Sequence, residues 1–192
     1  MNNNTEEQAI RIASFNGVDV YRIDTKKFKT NSINIFFIDN LNRESVTKNA
    51  LLPAVLRRGC EGFPTFKDIA LYLEELYGAS FDCGVAKKGE NHIIHFYADS
   101  IADQYADEGE NLFEKTFKLL LDIIYKPVLE KGVFMEDYVR QEKENLRRII
   151  ESRVNDKVQY SIERCLEEMC RDEPFGIYEY GFAAGIDQIT PA

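Results

Sequence analysis

Ser45-Val46-Thr47-Lys48-Asn49-Ala50-Leu51-Leu52-Pro53-Ala54-Val55-Leu56-Arg57-Arg58-Gly59-Cys60 is the stretch on which the fold turns. Val46, Ala50, Leu51, Ala54 and Val55 recur at the spacing that gathers them on one side of a helix. Ser45 is placed to cap the start. Arg57-Arg58 at the other end, followed by Gly59, is what the negative end of a helix dipole and a chain reversal favour. Pro53 is the anomaly: it removes one backbone hydrogen bond and should kink the helix. An amphipathic helix of this kind has to lay its apolar face on something, and the flanking segments supply a sheet.

Upstream, Val18 to Ile23 alternates apolar and polar residues, and Thr30 to Asp39 contains Ile33, Ile35, Phe36, Phe37 and Ile38. Both read as strands, with Lys26-Lys27-Phe28-Lys29 between them, and the unbroken apolar run of the second predicts burial on both faces. Downstream, Pro64-Thr65 opens a second helix that continues through Ile69, Leu73 and Leu76 to Gly78. Ala79 to Ala86 and His92 to Ala98 read as a hairpin around Lys87-Lys88-Gly89-Glu90-Asn91. A third helix spans about Glu110 to Lys126, with Leu112, Phe113, Phe117, Leu120, Leu121 and Ile124 on one side, and Pro127 ends it. From Phe134 to about Cys170 the pattern is helical and charged, with an interruption near Asn155-Asp156. The order predicts an α+β two-layer sandwich in which a mainly antiparallel sheet packs against helices, with residues 1–192 as one domain.

Composition narrows the partners. Thirty-three acidic against 24 basic residues give a net charge of −9, which disfavours nucleic acid and anionic membranes. The longest apolar runs are too short to cross a bilayer, and Met1 to Gln8 lacks the basic start and apolar stretch of a signal peptide. A cytoplasmic protein is expected. Cys60, Cys83, Cys165 and Cys170 include no C-x-x-C pair and read as reduced, small apolar residues.

Several local patterns resemble the pitrilysin/insulinase-type zinc peptidases along nearly the whole chain. Members carry an inverted zinc motif, H-x-x-E-H, on the helix after their first strands. Asn49 to Cys60 falls on that helix here, Glu74-Glu75-Leu76-Tyr77-Gly78-Ala79 on the next helix end, and Asp82-Cys83 on an Asn-Ala pair. Tyr138-Val139-Arg140-Gln141-Glu142-Lys143 and Asp172-Glu173-Pro174-Phe175-Gly176 continue the likeness. The resemblance places the two zinc histidines on Ala50 and Ala54 and the catalytic glutamate on Pro53. None of the three can bind a metal or act as a base. The downstream glutamate ligand falls near Ile149, with Glu142, Glu144 and Glu151 close by.

More narrowly, Lys27-Phe28-Lys29-Thr30, Leu51-Leu52-Pro53, Leu73 to Ala79, Lys87-Lys88-Gly89 and Asn155-Asp156-Lys157 resemble the inactive-peptidase subgroup of elongation factor P 5-aminopentanol modification-associated proteins. That likeness implies a bacterial, two-domain parent of which this chain is the truncated amino-terminal domain. It also implies a non-catalytic chain with no cofactor or metal, and a zinc-bearing homologous subunit as heterodimer partner. The alternatives are a stand-alone peptide-binding or scaffold protein in elongation factor P modification, and a zinc metallopeptidase with an atypical site. In the family, substrate peptide adds to the sheet edge after the Leu-Gly-Ala turn, so Ser80, Phe81, Asp82, Cys83 and Val85 are the candidate peptide contacts. His92 and His95 form an H-x-x-H pair, but on a strand they point to opposite faces. No Gly-rich phosphate loop occurs.

Overall fold

The computed structural model describes residues 8–192. All but the last residue of the polar Met1–Gln8 stretch therefore lies outside the described residues. The first element is a hairpin of β1 (Ile10–Phe15) and β2 (Val18–Arg22), so the chain enters its strands earlier than the Val18 start expected. The overlooked signal is Asn16-Gly17. Both residues have positive φ, 48° and 81°, the turn that matches the twist of a two-residue hairpin.

β3 (Thr30–Asn40), β4 (Ser80–Lys88) and β5 (Asn91–Ile101) form a separate antiparallel sheet in the order β3-β5-β4. β3 pairs with β5 from Thr30 opposite Ile101 to Asn40 opposite Asn91. Along the central strand β5, His92, Ile94, Phe96, Ala98 and Ser100 are buried in strict alternation. This inner face carries α1 (Val46–Leu56), α2 (Phe66–Glu75) and α3 (Leu112–Tyr125). Leu56, Cys60, Ile69, Leu119, Leu120 and Ile123 pack there against Ile33, Ile94, Phe96 and Ala98. Each large side chain so buried contributes about 1.5–3 kcal/mol. A short ribbon of β6 (Leu129–Glu130) and β7 (Val133–Phe134) leads into α4 (Glu136–Ser152), α5 (Lys157–Met169) and the single turn α6 (Ala183–Ile186). Helices on one face of an antiparallel sheet give the α+β two-layer architecture expected.

Local chemistry sets the ends. α2 starts with a full capping box, in which Thr65 and Asp68 exchange side-chain and backbone hydrogen bonds. Asp156 caps α5 by accepting from the Gln159 N–H at 3.0 Å, which is where the interruption near Asn155-Asp156 was expected. Ser45, by contrast, makes no capping bond. Asn42 takes that role, its Oδ1 accepting from the N–H groups of Glu44 at 3.0 Å and Ser45 at 2.9 Å. α1 runs continuously through Pro53, whose own carbonyl accepts from Arg57 N–H at 3.1 Å. Gly59 follows because nothing larger fits: a Cβ there would lie 2.4 Å from the Pro64 carbonyl oxygen.

Two burial expectations fail. β3 is not buried on both faces; Phe36 and Ile38 are 56% and 68% exposed, because β3 lies at a sheet edge and no described helix covers the outer face. The buried stripe of α3 is Leu112, Thr116, Leu119, Leu120 and Ile123, while Phe113 and Phe117 face outward and stack on each other at 6.3 Å. The expected side, which took in Phe113 and Phe117, is turned from this one: the i, i+4, i+7, i+11 positions from Leu112 define the face that meets β5.

Candidate functional site

α1 is crossed by α4, and α6 folds back to touch both helices. At this junction Ala50, Leu51, Val55, Val139, Leu146 and Ile186 form one buried apolar cluster. Ala50 is part of it, Pro53 is fully buried, and Ala54 is half-buried on the same helix. The three positions expected to have lost the histidine–glutamate–histidine set thus offer methyl groups and a pyrrolidine ring. The groups packed against Ala50 are also hydrocarbon. Zinc requires nitrogen, sulfur or oxygen lone pairs, so these residues do not fit the ion. Among the described residues, no three His, Cys, Asp or Glu side chains converge on one point.

The acidic candidates on α4 separate clearly. Ile149 is 44% exposed, and Glu151 is exposed. Glu144 stands in solvent with Arg148 at 3.4 Å. Glu142 alone of these enters the α1–α4 seam, and its charge is already matched. Arg58 Nε donates to Glu142 Oε1, with Nη2 in ion-pair contact with the same oxygen, while Asn145 Nδ2 donates to Oε2 at 3.1 Å. The Arg58 guanidinium also lies over the Tyr138 ring at 5.7 Å. A guanidinium is bound at the one carboxylate that reaches the seam.

Residues 174–189 close this region; Pro174-Phe175-Gly176 continue the family likeness, and no element was expected over 177–188. Lys87 Nζ donates to the carbonyls of Phe175 at 2.9 Å and Ile177 at 3.0 Å. Lys143 Nζ donates to those of Asp187 and Ile189, and Arg147 pairs with Asp187 at 2.7 Å. Gly181, at φ +77°, rests directly on α1: a Cβ there would sit 2.2 Å from Thr47 Oγ1. The neighbouring Phe182 N–H donates to that hydroxyl at 3.2 Å. The spacing of Gly181 and Gly185 was the available signal, since both present bare backbone to Thr47.

β4 is the other edge of the three-stranded sheet. Phe81, Cys83 and Val85 direct their side chains into the core, while Ser80 and Asp82 stay exposed. Alternate residues of an antiparallel strand hydrogen-bond to opposite sides. Leu41 N–H donates to Glu90 O at 2.8 Å, in register with the β3–β5 ladder, so even-numbered residues of β5 face β3. Odd-numbered β5 residues therefore face β4, where their partners are even-numbered. The backbone groups of Phe81, Cys83 and Val85 are left on the free edge. One of them is occupied, because Cys83 N–H donates to Asp82 Oδ1 at 2.8 Å. Arg57 lies 3.6 Å from the same carboxylate oxygen.

The four cysteines are free thiols with unlike environments. Cys83 Sγ lies 3.2 Å from the Pro53 carbonyl, and burial pushes its pKa up to about 12. Burial also raises that of Cys60. Cys165 is exposed on α5. Alkylation of the native protein with iodoacetamide at pH 7.5 is therefore expected to modify Cys165 first. Cys83, on the order of four decades short of full ionisation at that pH, reacts only after unfolding. Peptide mapping against time checks the order, and early labelling of Cys83 would contradict the burial. His92 is buried on the inner face, and His95 stacks between Phe36 at 5.3 Å and Tyr97 at 5.4 Å on the outer one, so the H-x-x-H pair does not converge.

No protein-family model matches the chain. "Probable inactive metalloprotease YmfF" of Bacillus subtilis (strain 168) is 37% identical over 174 residues, covering 91% of this chain and 41% of that protein. The crystal structure of a conserved protein from Enterococcus faecalis V583 superposes with a TM-score of 0.87 at 30% identity, over 95% of this chain and 43% of that one. Pitrilysin superposes with a TM-score of 0.60 at 16% identity, over 96% of this chain and 18% of that one, a likeness of fold. The chain spans about two fifths of the length of the curated relative.

Proposed function

From the premise that this chain belongs to the pitrilysin-type peptidase superfamily, we propose that it serves a non-catalytic member, pairing with a zinc-bearing homologous subunit. One observation carries the reading. Helix α1 is present and packed, with Ala50 in an apolar cluster beside Val139, Leu146 and Ile186, and Ala50, Pro53 and Ala54, which we read as the ligand and base positions, offer no lone pair to a metal. A fold kept without its chemistry retains value as a surface. The partner would supply zinc and base, while this chain would shape the shared chamber. A cytoplasmic bacterial protein of two such domains is the setting we infer, with this chain contributing one of them.

Affinity purification of the full-length protein from its native cells, with mass-spectrometric identification of stoichiometric partners, tests the pairing. Recovery of a relative carrying H-x-x-E-H is the expected result. Its absence, with enzymes of elongation factor P modification recovered instead, would transfer the reading to a scaffold.

The β4 edge is the part of this surface we assign to peptide or partner, since strand addition needs backbone groups rather than a metal. Phe81→Pro and Val85→Pro each remove an outward N–H without touching the ladder to β5. Each is expected to weaken binding of the zinc-bearing relative, or of its peptide substrate in the mixed complex, about tenfold, the scale of one lost hydrogen bond. Binding unchanged in both variants, with circular dichroism also unchanged, would remove the edge from the account.

A further inference from the structure

The two edges of the three-stranded sheet differ in kind. At β4 the outward N–H of Cys83 is taken by Asp82 Oδ1, while those of Phe81 and Val85 stay on the open side. β3 has no such protection over most of its length. Leu41 N–H to Glu90 O and Ala102 N–H to Lys29 O, both 2.8 Å, bracket its ladder in one register. Odd-numbered residues therefore bond to β5, and Ser32, Asn34, Phe36 and Ile38 turn their backbone groups to the open side. Only at the far end is an outward N–H taken, that of Asn40 by Asp39 Oδ1 at 2.8 Å. Thr30 to Ile38 contains neither a charge nor a proline.

The β1–β2 hairpin has the complementary defect. It pairs with no other strand among the described residues, and both of its strands are exposed on both faces, Ile10, Phe15, Val18 and Tyr21 included. A two-stranded ribbon of this kind is marginal by itself. Residues 23–29 tether it to β3, enough chain to step across one intervening strand at about 4.8 Å per strand spacing.

We propose that in the full-length protein one further strand of the same polypeptide, from outside these 192 residues, lies against β3 at Ser32–Ile38, with the β1–β2 hairpin on its other side. It would join ribbon and sheet into one surface and flank Phe36 on its open side. The length of the relatives supports an occupant from the same chain: more than half of each, the Bacillus subtilis protein and the Enterococcus faecalis one, lies beyond the portion this chain covers. The proposal does not depend on pairing with a zinc-bearing subunit, and its failure would leave that reading intact.

Amide hydrogen exchange on the full-length protein, resolved by residue, tests it. Ser32, Asn34, Phe36 and Ile38 are expected to exchange about a hundredfold or more slower than unprotected amides, and to keep that protection on hundredfold dilution. Fast exchange at these four amides, or protection that disappears on dilution as a contact between two copies would, overturns the proposal. A photo-crosslinking residue in place of Asn34 should give a cross-link within one chain, to a peptide outside residues 1–192; a cross-link between chains overturns it too. Phe36→Glu adds an independent reading. At a residue 56% exposed on an open edge it would be nearly neutral, but beside a paired strand it loses its cross-strand packing and shifts the urea midpoint of the full-length protein downward.

Discussion

Replacing Arg58 by alanine is expected to lower the unfolding free energy of the full-length protein by about 3–5 kcal/mol, the scale for removing one partner of a buried ion pair. The side chains of Arg58 and Glu142 are 25% and 10% exposed, so the carboxylate left behind would be poorly hydrated. Asn145 alone would remain to bond it. Arg58→Lys should recover only part of the loss, because an ammonium lacks the planar guanidinium that bonds Glu142 through Nε while lying over Tyr138. The double variant Arg58→Met with Glu142→Leu should be less destabilised than Arg58→Ala, since it leaves no orphaned charge. Urea unfolding followed by circular dichroism measures all three. If Arg58→Ala costs less than about 1 kcal/mol, the pair is a surface contact of the ordinary kind.

Introducing the family's H-x-x-E-H motif on α1, by Ala50→His, Pro53→Glu and Ala54→His together, is expected to destabilise the protein without creating a zinc site. Ala50 is 6% exposed in a cluster with Leu146 and Ile186, and an imidazole there must displace hydrocarbon. Overpacking of a filled core costs about 1–3 kcal/mol, and stranding an imidazole among apolar neighbours adds to it. A third ligand is also missing, since Glu142 is held by Arg58 and the cluster partners on α4 are Val139 and Leu146. Titration calorimetry with zinc should therefore detect no tight, stoichiometric site of the catalytic kind, which needs a third protein ligand. Stoichiometric uptake by this variant would mean that the site needs only its α1 ligands, against the packing described.

Where the sequence was informative, the reason was local. Thr65 and Asp156 could be read as helix starts because each cap is decided within three residues. That the side chains of Ala50, Pro53 and Ala54 offer a metal no lone pair also follows from residue type alone. Features that depend on distant chain were not legible. The apolar run of β3 looked like a strand buried on both faces, but what covers a strand is set by its neighbours, and this one stands at an edge. Glu142 could not be singled out from Glu144 and Glu151 until the crossing of α1 and α4 placed Arg58 beside it. Residues 174–189 carry weak helical signals and are held by Lys87, Lys143 and Thr47, contacts that no reading of the segment itself would provide. Asn16-Gly17 is the exception: its hairpin signal is local, and the expected start at Val18 lies just beyond it.

The central claim is that this chain brings no metal centre of its own to a peptidase fold. Its most direct test is elemental analysis of the full-length protein, purified without chelator and alone, paired with hydrolysis of a quenched fluorescent peptide by the same preparation. The account predicts well under 0.1 zinc per chain, on the order of trace contamination for a site lacking its ligands, and no hydrolysis that a chelator abolishes. Zinc near one per chain, removed by chelator together with peptide cleavage and restored with it, would contradict the account.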